Sequence, residues 1–392
     1  MAVADRIQES ISRSSWIRKM FEEGARRKAE YGADKVFDFS LGNPNLEPPA
    51  RLRDQIRKLM DDPAPGRHGY MPNAGYLETR QAVSDHINSY TKNTLDAGHV
   101  VMTVGAGGGL NVVFKTLLNP GDEVVIPKPY FVEYDFYLEN HGAKSVPVPT
   151  GEDFSIDFDA LADAIGERTK AVLINYPNNP TGRVCTSTEM EELAALLKDR
   201  SSRLGRPIYL ISDEPYRKIV FDGVQVPNAL DAYPDSFVVT SFSKDLSIPG
   251  ERIGYIAVNP RMGEKDMVIA GLILANRILG FVNAPALMQR AIPELLDLSV
   301  DVDAYRRKRD MLCEGLSACG YRFVVPKGTF YLFPRTPIAD DVAFVGLLQE
   351  ENILVVPGSG FGGPGHMRIA FCVEDRVIEN SIPGFERAIN RA

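Results

Sequence analysis

The sequence predicts an α/β fold in which a mostly parallel sheet lies between helices and a smaller α+β domain follows. Between residues 100 and 240, short β-branched runs alternate with helical segments, and Gly, Pro and Asp bound the runs. Short apolar runs with this alternation are typical of the strands of parallel sheets. From residue 302 onward a long charged helix precedes several short strands. This change of pattern predicts the second domain.

The first elements precede the sheet. Residues 8–31 are expected to form a charged amphipathic helix. Its apolar residues are Ile11, Trp16, Ile17 and Met20. Residues 37–41 are expected to form a short strand that ends in the turn Gly-Asn-Pro-Asn at residues 42–45. Residues 77–93 are expected to be helical, and an aromatic loop over residues 69–76 precedes them.

Strands and helices then alternate. Strands are predicted over residues 100–104, 123–126, 171–175, 208–212 and 237–240, and helices over residues 110–118, 132–140 and 189–200. In the C-terminal part, a helix is predicted over residues 302–319 and strands over residues 321–325, 329–333, 353–356 and 366–371. The expected organisation is an N-terminal arm with part of the small domain over residues 1–45, a large domain over 46–285 and the remaining small domain over 286–392.

Composition narrows the classes of function. The 392 residues include 44 basic and 52 acidic side chains, a formal net charge of −8, which disfavours nucleic acid and anionic membranes as partners. The apolar stretches are too short to span a bilayer, and no secretory signal is evident, so we expect a cytoplasmic protein. The four cysteines lack the spacing of metal ligands and are expected to be reduced thiols: Cys185, Cys313, Cys319 and Cys372.

The most informative segment surrounds Lys244. Ser241 precedes this lysine by three residues, and Arg252 follows it by eight. The amine can form a Schiff base with an aldehyde, while the hydroxyl and the guanidinium suit a phosphate. Pyridoxal phosphate carries both groups, which makes it the expected cofactor. Ligands of open parallel sheets bind beyond the carboxyl ends of the strands, and this segment follows a predicted strand.

A glycine-rich segment, Gly105-Ala106-Gly107 with two further glycines, follows one strand and opens a helix. Backbone N–H groups at such a helix start favour an anion, although a glycine-rich turn made for packing is an equal alternative. A dinucleotide site would place an acidic residue after the next strand. That strand instead ends in a Pro-Lys-Pro run at residues 127–129, so a nicotinamide cofactor is disfavoured.

Further polar and aromatic residues follow other predicted strands. Tyr130 and Phe131 could each stack on a planar ring. Asn179 precedes Pro180 in a rigid turn, which orients its amide. Asp213 ends a buried strand, where a carboxylate requires a partner such as a protonated ring nitrogen; a helix N-cap is the alternative.

Together these segments resemble the aspartate-aminotransferase family, pyridoxal-phosphate enzymes of fold type I, class I/II, from about residue 37 to residue 371. The resemblance implies fold type I, with a sheet of the seven-stranded type. It implies that Lys244 forms the Schiff base and that Asp213 pairs with the ring nitrogen. Phe131, a better match than Tyr130, would cover the ring. Asn179 and Tyr216 would bind the phenolic oxygen.

The same resemblance assigns the remaining positions. The phosphate would be held by Gly105, Ala106, Gly107, Ser241 and Arg252. Arg368, a charge in an apolar strand, would bind the substrate α-carboxylate, with Gly42 and Asn179 beside it. Tyr70 would reach the phosphate of a neighbouring subunit, which implies a homodimer with shared active sites; a packed loop aromatic is the simpler alternative for Tyr70.

The expected reaction is ping-pong transamination between an L-amino acid and a 2-oxo acid, with Lys244 carrying the proton. A pyridoxal-phosphate lyase, of the C–S β-lyase or aminocyclopropane-carboxylate-synthase type, is the alternative, because one fold supports several such reactions. Arg277 lies near the place where some aspartate-specific relatives bind a second carboxylate, and a surface or interface arginine is an equal alternative. The sequence leaves the amino-group donor open.

Overall fold

The structure, a computed structural model, describes residues 2–12 and 16–392. The α-helices are α1 (Asp5–Ser12), α2 (Trp16–Tyr31), α3 (Ala50–Asp61), α4 (Leu77–Asn88), α5 (Gly105–Leu117), α6 (Glu133–Glu139), α7 (Phe158–Ala164), α8 (Ser187–Leu204), α9 (Ala229–Ala232), α10 (Lys265–Ile278), α11 (Ala286–Ala291), α12 (Val302–Ala318), α13 (Asp341–Glu350) and α14 (Asp375–Ile389). The strands are β1 (Phe37–Asp38), β2 (Val100–Thr103), β3 (Glu123–Pro127), β4 (Lys144–Val148), β5 (Thr169–Asn175), β6 (Tyr209–Asp213), β7 (Ser236–Ser241), β8 (Gly254–Val258), β9 (Tyr331–Leu332), β10 (Ile353–Leu354), β11 (Val356–Pro357) and β12 (Met367–Ala370).

A seven-stranded sheet forms the centre of the molecule. Its strand order is β2-β8-β7-β6-β5-β3-β4, and only β8 runs antiparallel to its neighbours β2 and β7. The predicted mostly parallel sheet is therefore confirmed. Helices α5, α6 and α10 share an apolar core with one face, while α3, α4, α7, α8 and α11 cover the other. Strands β5, β6 and β7 end side by side at Asn175, Asp213 and Ser241.

The C-terminal part forms a smaller α+β unit. Its three-stranded antiparallel sheet has the order β11-β12-β9, and β1 pairs in parallel with β10. The N-terminal segment thus joins this unit: the amide of Phe39 donates to the carbonyl of Leu354 at 2.8 Å. A separate apolar core binds these strands to α12, α13 and α14. The domain boundaries after residues 45 and 285 stay a prediction.

The predicted strand over residues 321–325 is wrong. These residues have no regular secondary structure, and the side chains of Val324 and Val325 are exposed. Tyr321 turns inward instead, and its hydroxyl donates to the carbonyl of Phe385 at 2.9 Å. Within the described chain no strand pairs with this segment, and Pro326 follows it, so its β-branched residues have no ladder to join.

Other elements differ in extent. The helix expected over residues 8–31 is described as α1 and α2; residues 13–15 and the side chain of Ile17 lie outside the described part. Strands β4 and β8 were not predicted, nor were helices α3, α7, α9, α10, α11, α13 and α14. Strand β4 contains Pro147, which is tolerated there because β4 lies at the edge of the sheet. Helix α5 begins at Gly105, five residues before the predicted start, because four glycines weaken the helical signal.

Within residues 2–12 and 16–392, no helix is long and apolar enough to cross a membrane. Nor do three or more His, Cys, Asp or Glu side chains in that part of the chain group as ligands for a metal ion.

Candidate active site

A pocket of about 280 Å³ lies beyond the carboxyl ends of β5, β6 and β7. The sequence-predicted residues that line it are Gly42, Ala106, Gly107, Phe131, Asn179, Asp213, Tyr216, Ser241, Lys244, Arg252 and Arg368. Residues that line it without having been predicted are Leu41, Leu110, Tyr134, Tyr137, Asn175, Pro215, Ser243, Pro249 and Tyr331. Both parts of the chain therefore contribute to one pocket, as expected for ligand binding at the end of a parallel sheet.

Lys244 extends from the loop after β7 into this pocket. Its ammonium donates to the carbonyl of Gly42 at 2.8 Å and lies 5.5 Å from the ring centroid of Phe330. Burial lowers the pKa of Lys244 to about 8, and the nearby charges of Arg368 and Arg252 act in the same direction. A substantial share of Lys244 is therefore a neutral amine near pH 8, the form that attacks an aldehyde.

Asp213 stands at the end of β6, 5% exposed. The hydroxyl of Tyr134 donates to its Oδ2 at 2.5 Å, whereas Oδ1 is buried and has no hydrogen-bond partner among the described residues. Burial raises the pKa of Asp213 to about 7, although the Tyr134 hydrogen bond opposes this shift. A buried carboxylate oxygen that lacks a partner suits a cationic ring nitrogen, so this residue fits pyridoxal phosphate.

The start of α5 and the side chain of Arg252 form an anion-binding corner. Arg252 donates to the carbonyl of Pro249 at 2.9 Å and to that of Val104 at 3.4 Å. Gly105 has a φ of +75°, and a Cβ there would lie 2.8 Å from the Nη2 of Arg252. Position 105 therefore requires glycine, because the backbone has a positive φ and because the Arg252 side chain leaves no room for a Cβ. A helix N-terminus beside a guanidinium suits a phosphate.

Asn175, the last residue of β5, is hydrogen-bonded to Asn179 in the turn that follows and to the neighbouring strand. Asn175 donates from its side chain to the carbonyl of Asp213 at 2.8 Å, and its amide oxygen accepts from the backbone of Asn179 at 2.8 Å. Asn179 is 6% exposed, and its side-chain oxygen accepts from Arg368. The turn is therefore fixed between the end of β6 and the C-terminal unit, with the Asn179 side chain in the pocket.

Arg368 lies on β12, 2% exposed. Its guanidinium stands 4.5 Å from the ring centroid of Tyr331 and 4.7 Å from that of Phe361. It donates to Asn179 Oδ1 at 3.2 Å and to the carbonyl of Ser40 at 2.6 Å, and its Nε has no partner within the described chain. Two aromatic contacts hold the planar group in one orientation with donors still available, which suits a carboxylate.

Tyr216 and Tyr331 join the two parts of the chain at the pocket wall. Their hydroxyl groups lie 3.0 Å apart, and burial raises the pKa of both, most strongly that of Tyr216. Tyr331 also explains why residue 42 is a glycine. A Cβ on residue 42 would lie 1.7 Å from the Tyr331 hydroxyl oxygen. The predicted strand over residues 329–333 was the available signal for Tyr331, but it did not indicate which side chain faces the pocket.

The remaining predicted residues lie in different places. Phe131 lines the pocket and meets the ring of Tyr134 edge-on, with centroids 5.6 Å apart. Tyr130 points elsewhere, since its hydroxyl donates to the carboxylate of Asp135 at 3.0 Å. Tyr70 is 92% exposed, and Arg277 is exposed on α10. Neither of these two lines the pocket within this chain.

Comparison with known proteins identifies the family. The family model described as aminotransferase class I and II matches residues 34–382. A crystal structure of an aminotransferase from Eubacterium rectale has a TM-score of 0.97 and 40% identity, over 100% of this chain and 99% of that one. The aspartate/prephenate aminotransferase of Thermus thermophilus is 31% identical over 92% of each chain. The aromatic-amino-acid aminotransferase 2 of Thermococcus litoralis is 29% identical over 99% of this chain and 98% of that protein.

These findings agree with the chemistry of the pocket. The cofactor is pyridoxal phosphate, and the reaction is ping-pong transfer of an amino group between an amino acid and a 2-oxo acid. The relatives named above are aminotransferases, which favours this reaction over the lyase alternative. The chain belongs to the family of class I and II aminotransferases, enzymes of fold type I.

Proposed function

We propose that Lys244, Asp213 and Arg368 perform the chemistry of this aminotransferase. The observation that carries the proposal is their convergence on one pocket from two parts of the chain. When bound, pyridoxal phosphate supplies an aldehyde for the amino group and a ring that withdraws electrons from the substrate Cα. The three residues then divide the remaining work among proton transfer, charge pairing and substrate orientation.

Lys244 is the amine that links to the cofactor and that moves a proton on and off the substrate Cα. Its lowered pKa, about 8, supports both tasks, because the group can hold or release a proton near neutral pH. The carbonyl of Gly42 accepts from its ammonium and fixes its position in the pocket. Substrate exchange would release Lys244 from its linkage and leave it beside the reacting carbon.

Asp213 holds the positive charge on the ring nitrogen. Its free Oδ1 is the acceptor for that N–H, and Tyr134 orients the carboxylate from the other side. An ion pair at this buried site would lower the pKa of Asp213 and stabilise the protonated ring. Phe131 at the pocket wall supplies an aromatic face for the ring, and Asn179 and Tyr216 supply donors for its phenolic oxygen.

Arg368 binds the α-carboxylate of the substrate. The stacked guanidinium offers two parallel N–H groups, and the pocket also contains Gly42 and Asn179. Fixing the carboxylate at this point places the substrate Cα between Arg368 and Lys244, so the proton transfer occurs at a defined carbon. The phosphate is held by Ser241, Arg252 and the first residues of α5 (Gly105, Ala106 and Gly107) at the other end of the pocket.

The active unit is a homodimer with shared sites. An apolar stripe on α10 is exposed in the single chain, with Met267 at 76%, Leu274 at 47% and Ile278 at 55% exposure. Such a stripe favours a covering partner, and Tyr70 at 92% exposure would reach the partner's phosphate. Arg277 is exposed on the same helix, three residues after Leu274, so the same partner would contact it.

A cytoplasmic location is part of the same proposal. The four cysteines are free in the structure, which fits a reducing compartment.

Single-turnover chemistry tests the proposed reaction. Enzyme loaded with pyridoxal phosphate and given one amino acid, without an acceptor, should release about one 2-oxo acid per subunit and then stop. Adding a second 2-oxo acid should restart the release. Continuous formation of ammonia and an oxo acid from the amino acid alone would instead establish the lyase reaction.

A further inference from the structure

Lys244 and Asp245 are neighbours in the chain, but their side chains enter different cavities. Lys244 lines the active-site pocket, whereas Asp245 lines a second cavity of about 190 Å³. Pro215 and Ser241 line both cavities and form the wall between them. The second cavity therefore lies directly behind the loop that carries the reactive amine.

Asp245 connects this loop to a distant segment. Its backbone carbonyl accepts from the amide of Val300 at 2.7 Å. One carboxylate oxygen accepts from the amide of Leu246 at 2.9 Å, and the other lies 3.6 Å from the ammonium of Lys218. The residue is 7% exposed, so its carboxylate requires partners inside the protein.

Lys218 completes the connection from the other side. Its ammonium donates to the carbonyl of Leu296 at 2.6 Å and to that of Leu298 at 3.1 Å. The carboxylate of Asp245 lies 3.6 Å from the same ammonium, which is an ion-pair distance and longer than a hydrogen bond. The segment 296–300 is thus fastened at three points to Lys218 and Asp245.

That segment leads from α11, which covers one face of the sheet, to α12 of the C-terminal unit. The other passage of the chain between the two parts, residues 42–46, is fastened to the same loop. Lys244 itself donates to the carbonyl of Gly42, and Ser247 donates from its hydroxyl to the carbonyl of Leu46 at 2.5 Å. Residues 244–247 are therefore hydrogen-bonded to both segments that connect the sheet to the C-terminal unit, residues 42–46 and 296–300.

We propose that Lys218 and Asp245 are positioning residues for Lys244. They fix the loop of residues 244–247 to the segment 296–300, and so keep the Lys244 amine at one place relative to Arg368 on the C-terminal unit. The inference deepens the function proposed above and rests on the role given there to Lys244.

The charges around Asp245 make Lys218 its main counter-charge. The other titratable groups that line the second cavity are His86, Tyr90, Glu214, Arg217 and Tyr255. Burial, aided by Lys218, lowers the pKa of His86 to about 4, so its imidazole is neutral at pH 7. Arg217 forms a salt bridge with Glu214, in which its Nε lies 2.5 Å from Oε2 of the carboxylate. Removing the Lys218 charge would leave the buried Asp245 carboxylate without compensation.

The test replaces Lys218 in the pyridoxal-phosphate-loaded enzyme. For Lys218→Met we expect kcat to fall on the order of tenfold while KM changes little, because the amine is displaced and substrate binding is not. A second readout needs no turnover: the rate at which the yellow absorbance appears when pyridoxal phosphate is added to the cofactor-free variant should fall similarly. Lys218→Arg, which keeps the charge, should recover most of both rates.

A control variant and a second test variant make the result decisive. Lys198→Met removes the same charge from the exposed face of α8 and should leave both rates unchanged. If Lys218→Met does not fold, Asp245→Asn serves instead, and both rates should again fall. Unchanged rates in the folded variants, or a lowered melting temperature with a normal rate of linkage, would overturn the inference. Lys244→Ala with full turnover would overturn the proposed function itself, whatever the Lys218 variants do.

Discussion

Tyr134 donates a hydrogen bond to Oδ2 of Asp213 at 2.5 Å, and the Oδ1 of the same carboxylate has no partner among the residues that the structure describes. Burial raises the pKa of Tyr134 well above its usual range, so the phenol remains protonated and acts as a donor. One oxygen is therefore used to orient the group and the other is available to a ligand. In the cofactor-free protein this arrangement is unfavourable for a charged carboxylate.

The buried carboxyl of Asp213 should make the cofactor-free protein less stable as pH rises. Burial raises its pKa from 3.8 to about 7, so between these values the native state binds more protons than the unfolded state. The free energy of unfolding then falls with increasing pH through this window, by an amount on the order of a few kcal/mol. Asp213→Asn should remove this pH dependence of the free energy of unfolding. Denaturant unfolding of the cofactor-free wild type and variant at several pH values measures it. If the free energy of unfolding changed with pH in the same way in both proteins, the assignment would be contradicted.

The rate at which Lys244 reacts with the cofactor should depend on pH with a midpoint set by its own lowered pKa. Burial lowers that pKa to about 8, and only the neutral amine attacks the aldehyde. The rate of appearance of the yellow absorbance on adding pyridoxal phosphate should rise with pH, be half-maximal near pH 8 and level off roughly one pH unit higher. A rate that keeps rising towards the range of an ordinary lysine would show that the amine is not desolvated.

Replacing Arg368 by lysine should weaken substrate binding and leave the cofactor bound. The variant keeps a positive charge but loses the planar fork and its stacking on Tyr331 and Phe361. We expect the binding of an amino acid to weaken on the order of 1–3 kcal/mol. Spectroscopic titrations with amino acid and with pyridoxal phosphate separate the two effects. Loss of the cofactor with unchanged amino-acid affinity would place Arg368 at the cofactor instead.

A shared active site can be detected by mixing two defective variants. Tyr70→Ala and Lys244→Ala chains are each expected to be poorly active, for different reasons. In a heterodimer one site would lack both defects and the other would carry both, so mixing should restore part of the activity. Subunit exchange must be shown separately with tagged chains. Proven exchange without recovery would mean that Tyr70 does not serve the neighbouring subunit.

Predicted residues that lie at or just after a strand end line one pocket. Asp213 and Ser241 end buried strands, and Lys244 follows three residues after the second of these. Parallel strands end at one edge of a sheet, and β6 and β7 are neighbours in it, so these residues meet.

Residues that act through tertiary contacts could not be predicted in this way. Tyr134 lies within α6, and only the packing of that helix against the sheet brings its hydroxyl to Asp213. Tyr331 meets Tyr216 across 115 residues of sequence. The residues around 321–325 show the converse error, because a β-branched run forms a strand only if a neighbour pairs with it.

The most direct measurement is the identity of the lysine that links to the cofactor. Enzyme loaded with pyridoxal phosphate is reduced with borohydride, digested and mapped by mass spectrometry. We expect the label on Lys244, because Lys244 is the one lysine among the described residues that line the pocket. The Lys244→Ala variant should show neither label nor turnover. A label on any other lysine, or full turnover by Lys244→Ala, would contradict the assignment of the site.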